Sequence, residues 1–409
     1  NAKSYLNTLL IYIVGVDVNR ITLLIVISVI TTFFLASTLV VSKPVLPSKG
    51  NADAPVPPQG GNAPPFNDPN LGHQRVIAQA SDVDALVSEG CSVIKKGKVV
   101  AALKCPDAVV SARALEPDLE VFAVDISSVP QINADDVWAL SYTGTGRVIA
   151  VLDTGIDTDH PELVGSVAGG ACFIDGCTSF EDDNGHGTHV SGIITANGVN
   201  SNAVGVAPAT GVWSGKVLNA NGGGYFSDVI EAIYHVADNV AADAISMSLG
   251  TSPPYTYKGT CDNVLPSLTA AVNYARSKGK SVVAAAGNSG SSGVSIPGCI
   301  SKVIGVGAVD DSNKVASFSG RGRAVDLGAP GVTILSSVLG GGYASWSGTS
   351  MATPHVSAVV ALMKQKNAGL TPDQVTSKLT STAADLGKAG FDTSYGYGLV
   401  NALAAVNAS

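Results

Sequence analysis

From about residue 130 onward, apolar runs alternate with helix-like stretches, and this alternation limits the fold more than any other feature of the chain. Strands are predicted at 147–153, 212–217, 244–249, 281–286 and 302–309, and helices at 189–196, 227–240, 265–278 and 353–366. The strands are apolar along their length rather than at every second position. That is the pattern of a parallel sheet covered on both faces. Thr371-Pro372-Asp373-Gln374 combines an N-cap, a proline at the first helical position and a capping-box glutamine, and predicts a further helix through Leu386. The fold class is α/β, a doubly wound, mainly parallel sheet with helices on both faces. Charged residues make up only 14% and glycines number 46, which suits a compact chain with many tight loops. The net charge of −8, with no basic patch, argues against a nucleic-acid partner.

The first 129 residues divide into three parts. Residues 1–43 hold an uncharged run from Ile21 to Val41. Its 21 residues would span about 31 Å as a helix, the thickness of a bilayer core. This is longer than a usual cleavable signal, so an uncleaved membrane anchor is favoured over a signal. Residues 44–72 repeat Pro, Gly and Asn and read as a flexible linker. Residues 73–129 form a small α+β unit, with strands at 76–79, 92–103 (turning near Lys95–Lys98) and 120–126, and a short helix at 108–115. The six cysteines include no C-x-x-C pair. With the hydrophobic N-terminal run they suggest disulfides in an oxidising compartment. The simplest pairing joins neighbours: Cys91–Cys105, Cys172–Cys177 and Cys261–Cys299. Six reduced buried thiols are the alternative.

Four positions carry the chemistry. Asp153 closes the strand 147–153, where sites gather in such folds. His186 lies between glycines in Asp183-Asn184-Gly185-His186-Gly187-Thr188-His189, and imidazole titrates near neutral pH, which suits a general base. His189, three residues on, also permits a metal pair, but no third ligand is evident. Asn288 ends another strand, with a neutral amide able to stabilise an oxyanion. An asparagine in a left-handed turn is the plain alternative. Ser350 sits where a glycine-rich turn meets a buried helix. Free N–H groups and the helix dipole there favour a nucleophile whose attack creates negative charge. An N-capping serine is the plain alternative.

Val151-Leu152-Asp153-Thr154-Gly155-Ile156-Asp157, Asn184-Gly185-His186-Gly187-Thr188-His189-Val190 and Gly348-Thr349-Ser350-Met351-Ala352-Thr353-Pro354-His355 resemble the three signature blocks of the subtilisin-like serine proteases, the subtilases. Ala285-Ala286-Gly287-Asn288 resembles their oxyanion block. The order Asp, His, Ser is the one subtilisin uses. The resemblance covers roughly residues 130–409.

The resemblance implies a serine endopeptidase acting on proteins or peptides. Asp153, His186 and Ser350 would be its triad, and Asn288 and the Ser350 N–H its oxyanion donors. Ser248-Leu249-Gly250 and Gly222-Gly223-Gly224 would be the two edges that pair with an extended substrate. Ser289, beside the primary pocket, is neutral, which suggests broad preference for apolar residues before the cut. The loop 196–205 has the length of the family's calcium loop. Glu162, Asn200 and the backbone carbonyl of Asn197 would supply oxygens to Ca2+, although relatives usually place Asp at the position of Glu162. Residues 73–129 stand where subtilases carry an inhibitory propeptide, with a cut between 126 and 131. The whole would be a monomeric, self-processing zymogen, secreted or anchored to the membrane through residues 21–41. A narrow membrane-bound processing protease and an inactive binding relative are the competing readings.

Overall fold

The computed structural model describes residues 73–97, 100–117 and 128–409. The hydrophobic run 21–41, the linker and the strand predicted at 120–126 lie outside them. Among the described residues no helix is long and apolar enough to cross a membrane.

The first unit runs β1 (His73–Gln79), α1 (Val83–Ser88), β2 (Ser92–Lys96), β3 (Val100–Pro106), α2 (Asp107–Arg113) and β4 (Glu116–Pro117). Its sheet has the order β2-β3-β1-β4, antiparallel at every pairing. Val76, Val83, Leu86, Ala101 and Leu103 form its core around the Cys91–Cys105 disulfide.

The second unit continues with α3 (Ser128–Gln131), α4 (Ala134–Ala139), β5 (Val148–Asp153), β6 (Val167–Cys172), α5 (His186–Thr195), β7 (Gly211–Lys216), α6 (Phe226–Asn239) and β8 (Ala244–Met247). Then come β9 (Thr256–Tyr257), α7 (Pro266–Ser277), β10 (Ser281–Ala285), β11 (Val294–Ser295), β12 (Ile304–Val309), β13 (Leu327–Pro330) and the hairpin β14 (Ile334–Val338) and β15 (Gly342–Trp346). Last are α8 (Thr349–Lys366), α9 (Pro372–Ser381) and α10 (Ala402–Asn407). Seven strands form one parallel sheet in the order β13-β12-β10-β8-β5-β7-β6.

Both faces of that sheet are covered, which is why its strands read as apolar throughout. Along β5, Ile149 and Val151 enter one core with α5 and α8, while Ala150 and Leu152 enter the other with α6 and α7. The helix α8 is buried over almost its whole length and crosses β5, β8, β10, β12 and β13. The strand order reverses at β5, with β8 on one side and β7 on the other. Crevices form at such a switch point beyond the strands' carboxyl ends.

Several boundaries differ from the sequence reading. The strand β6, rich in small residues and only half-buried at the sheet edge, carries no strong apolar signal. The short β13 and the hairpin β14–β15 were likewise not anticipated. The capping box forms as read: Thr371 Oγ1 accepts from Gln374 N at 3.2 Å and Gln374 Oε1 from Thr371 N at 2.8 Å. Yet α9 stops at Ser381, where the Thr382 hydroxyl turns back on the Lys378 carbonyl, instead of running to Leu386. All three neighbour disulfides form, with sequence separations of 14, 5 and 38.

Candidate active site

Asp153 is fully buried at the carboxyl end of β5. Its Oδ1 accepts the Thr154 N–H at 2.8 Å and lies 2.7 Å from His186 Nδ1. A carboxylate can only accept, so the imidazole proton sits on Nδ1 in the neutral ring. The lone pair is left on Nε2.

His186 is the first residue of α5, three positions earlier than the sequence pattern suggested. Gly185 before it has φ 103°, a left-handed conformation that a side chain would strain. A Cβ on Gly187 would fall 2.1 Å from the Gly155 carbonyl oxygen, so bare backbone lets the helix start dock on the turn after Asp153. The buried Asp182 completes this junction. It accepts from Asn184 N and Gly185 N at 3.0 Å, Thr154 Oγ1 at 2.9 Å, Thr188 N at 2.9 Å and Thr188 Oγ1 at 2.6 Å. These bonds satisfy N–H groups that a helix start leaves free. Burial opposes the Asp182 charge, but the bonds from Gly185, Thr188 and Asn184 outweigh it and hold its carboxyl below the usual range. His186 shows a similar contest. Burial lowers its pKa, yet the charge and hydrogen bond of Asp153, with the charge of Asp182, leave it raised.

Asp182 and Lys216 were both missed in the sequence. Lys216, almost fully buried at the end of β7, bonds the Thr154 carbonyl and Asp183 Oδ1, the latter at 2.6 Å. An aspartate three residues before the glycine that caps the helix was the available signal for Asp182. Lys216 offered none, because its partners are remote in sequence.

Ser350 is the second residue of α8. Its hydroxyl donates to the Ser248 carbonyl at 3.0 Å, and no hydrogen bond joins it to His186. Pro354 lies inside the helix just after its first turn, because α8 begins at Thr349. Asn288 follows β10. Its Oδ1 accepts from Thr349 N at 2.9 Å and Thr349 Oγ1 at 3.0 Å. A backbone N–H can only donate, so the amide's oxygen faces Thr349 and its NH2 group faces away. A methyl on Gly348 would stand 3.4 Å from Asn288 Nδ2 and 3.6 Å from Ser350 N. The two donors therefore border one small space.

The remaining expected positions surround this junction or lie apart from it. Because β8 and β7 flank β5, Ser248-Leu249-Gly250 and Gly222-Gly223-Gly224 leave the sheet on either side of Asp153. Asn184 Nδ2 ties the second segment to the His186 loop through the Ala220 carbonyl at 2.9 Å. Ser289 is half-buried beside Asn288. His189 does not share a ligand with His186. Its Nε2 lies 3.0 Å from the Ala344 carbonyl, its ring stacks on Trp346 at 4.4 Å between centroids, and burial pushes its pKa down to about 3. Among the described residues no group of three His, Cys, Asp or Glu is placed to hold a metal. Glu162, Asn197 and Asn200 do come together, but the Glu162 carboxylate and the side-chain oxygens of both asparagines are directed at protein N–H and O–H groups. That donor set does not fit the calcium ion anticipated there.

A model of the subtilase family matches residues 144–398. The chain belongs to this family. Among similar proteins, M-protease of Shouchella clausii (strain KSM-K16) is 42% identical over 295 residues, 71% of this chain and 73% of its own. Subtilisin BL of Lederbergia lenta is 44% identical over 263 residues, 64% of this chain and 91% of its own. Subtilisin E of Bacillus subtilis (strain 168) is 38% identical over 347 residues, 80% and 87% of the two chains. As a subtilase, the chain is a subtilisin-type serine endopeptidase. The parallel sheet and the helices on both its faces are the fold anticipated for that family.

Proposed function

We propose that this subtilase cleaves proteins through Ser350, His186 and Asp153. The reading rests chiefly on the 2.7 Å contact between Asp153 Oδ1 and His186 Nδ1 at the sheet's switch point. Ser350 Oγ turns from the Ser248 carbonyl toward His186 and attacks the scissile carbonyl carbon. His186 Nε2 takes the hydroxyl proton, then returns it to the leaving amine as the C–N bond breaks. Asp153 holds the ring's tautomer and stabilises its cation. Asn288 Nδ2 and the Ser350 N–H receive the oxyanion in the space beside Gly348. Water then releases the acyl group by the same proton path.

An extended peptide lies between Ser248–Gly250 and Gly222–Gly224, pairing with both edges. The neutral Ser289 supports a broad preference for apolar side chains before the cut. Residues 73–129 serve as a propeptide that is cut near 126–131 and then inhibits the cleft. Three disulfides support an oxidising, extracytoplasmic setting, with residues 21–41 as its membrane anchor.

Labelling with a fluorophosphonate probe tests the reading. The active chain should be labelled at Ser350 and gain a new N-terminus near residue 130, and Ser350→Ala should stay full-length and unlabelled. Absence of label on a folded, fully processed chain would overturn it.

A further inference from the structure

The geometry points to Glu162 as a built-in anion that closes the loop 196–205 in place of a bound cation. Glu162 is fully buried. Its Oε2 accepts from Gly198 N at 2.8 Å and Val199 N at 3.0 Å. Its Oε1 accepts from Asn200 N at 2.5 Å and the Tyr343 hydroxyl at 2.8 Å. A carboxylate offers about four lone-pair directions, and four donors take them.

A calcium site needs six to eight oxygens directed at one point. Here three consecutive N–H groups are directed at the carboxylate, the ends of dipoles that repel a cation. The asparagine side-chain oxygens are engaged as well. Asn197 Oδ1 accepts from Val199 N at 3.2 Å, and Asn200 Oδ1 from Asn202 N at 3.1 Å. The side chain of Val199 between them is exposed and apolar and offers no ligand atom.

The anchor also reaches toward the catalytic helix. Tyr343 belongs to β15, the strand that leads into α8, so one carboxylate binds the loop to the segment preceding Ser350. His160 fixes the same corner: its Nδ1 accepts the Glu162 N–H at 3.1 Å, and its Nε2–H donates to the Gly342 carbonyl at 3.0 Å. Burial, then the bond to Glu162, push the Tyr343 pKa up to about 12, so its hydroxyl remains a donor in alkaline solution. Bonds to an ionised acceptor are roughly twice as strong as neutral ones, which makes the carboxylate an effective substitute for an ion.

Hydrogen exchange read by mass spectrometry on peptides spanning 196–205 tests this. The full chain carries Ser350→Ala to exclude autolysis and is compared in calcium chloride and in EGTA. Protection of the segment should be the same in both buffers. Glu162→Gln turns an amide NH2 toward N–H donors, and exchange should become about tenfold faster or more in both. If Glu162→Gln does not fold, Tyr343→Phe removes one donor and should speed exchange in both buffers. Protection that falls on chelation, that calcium restores in either variant, or that Glu162→Gln leaves unchanged would overturn the inference. A calcium effect confined to other peptides leaves the expected result intact, because the readout is local to the segment.

Discussion

Ser248 and Ser350 exchange hydrogen bonds: the Ser350 hydroxyl donates to the Ser248 carbonyl at 3.0 Å, and the Ser248 hydroxyl donates to the Ser350 carbonyl at 2.8 Å. The second bond has a cause in the sequence. Pro354 stands four residues after Ser350 and has no N–H, so the Ser350 carbonyl lacks its helical partner. Ser248→Ala should leave that carbonyl unpaired and cost about 1–2 kcal/mol in urea denaturation of the serine-blocked enzyme. Fluorophosphonate labelling should persist, since the Ser248 carbonyl is untouched. Unchanged stability would show that the second bond contributes nothing.

Gly348→Ala should separate catalysis from folding. Gly348 has φ 165°, extended backbone open to any residue, and its added methyl would meet Asn288 Nδ2 at an ordinary 3.4 Å. The chain should fold, with Tm moving by no more than about 2 °C. The methyl would occupy the space proposed for the oxyanion. The value of kcat should fall about 10²–10³-fold, comparable to losing a donor. Near-normal turnover of a peptide amide would place the oxyanion elsewhere.

The parts legible in the sequence were those fixed by local pattern. The apolar strand ending in Asp153 and the capping box at Thr371 needed no distant partner to be read. The start of α5 was misplaced because Gly185 and Asp182 set it, the one by a left-handed turn and the other through bonds to Thr154 and Thr188. The start of α8 was misplaced because the bonds between Thr349 and Asn288 hold its first turn. The calcium loop had the right length, but length does not show whether backbone N–H or C=O groups face inward. Only the folded backbone shows that Glu162 meets three N–H groups. Lys216 was invisible for a similar reason, since its contacts with Thr154 and Asp183 depend on strand register.

Activity should carry an acid limb set by His186. Burial lowers its pKa and Asp153 raises it by more, so the limb in kcat/KM should lie above the ordinary value of about 6.5. Asp153→Asn should lower kcat by about 10⁴ and move the limb of the residual activity down, because burial then acts with less opposition. Stability follows the opposite sign. A raised folded pKa contributes stability that is complete below about 6.5 and lost as pH rises through the folded value. The catalytic neutral form thus appears as this contribution fades. An NMR titration of the His186 ring reads the value directly, and a midpoint below 6.5 would contradict it.

Acid should unfold the chain through two other histidines. Burial pushes His189 down to about 3 and His355 down to about 4. A folded pKa below the unfolded 6.5 contributes stability above 6.5 that is lost as pH falls toward the folded value. Unfolding should therefore take up nearly two protons between about pH 6 and 4, a slope of up to about 2.7 kcal/mol per pH unit. His355→Gln should remove about half of that slope. Urea midpoints across this range, with the serine blocked, measure it. A slope unchanged by the substitution would mean that His355 is protonated in the folded chain.

The Cys261–Cys299 bridge should be the most stabilising in the second unit. Both sulfurs lie in the core shared with α6 and α7, and a backbone bond from Cys261 N to the Cys299 carbonyl at 2.9 Å holds the same closure. Its separation of 38 residues exceeds the 5 of Cys172–Cys177. In the chain-entropy account, closing the longer loop contributes about 4 kcal/mol and the shorter about 2. Replacing Cys261 and Cys299 by alanine should therefore lower the urea midpoint more than replacing Cys172 and Cys177. The half-exposed Cys172 and Cys177 pair should also be the first reduced by dithiothreitol, since attack needs access to sulfur. An equal loss from both replacements would show that loop closure in the unfolded chain does not set what these bridges contribute.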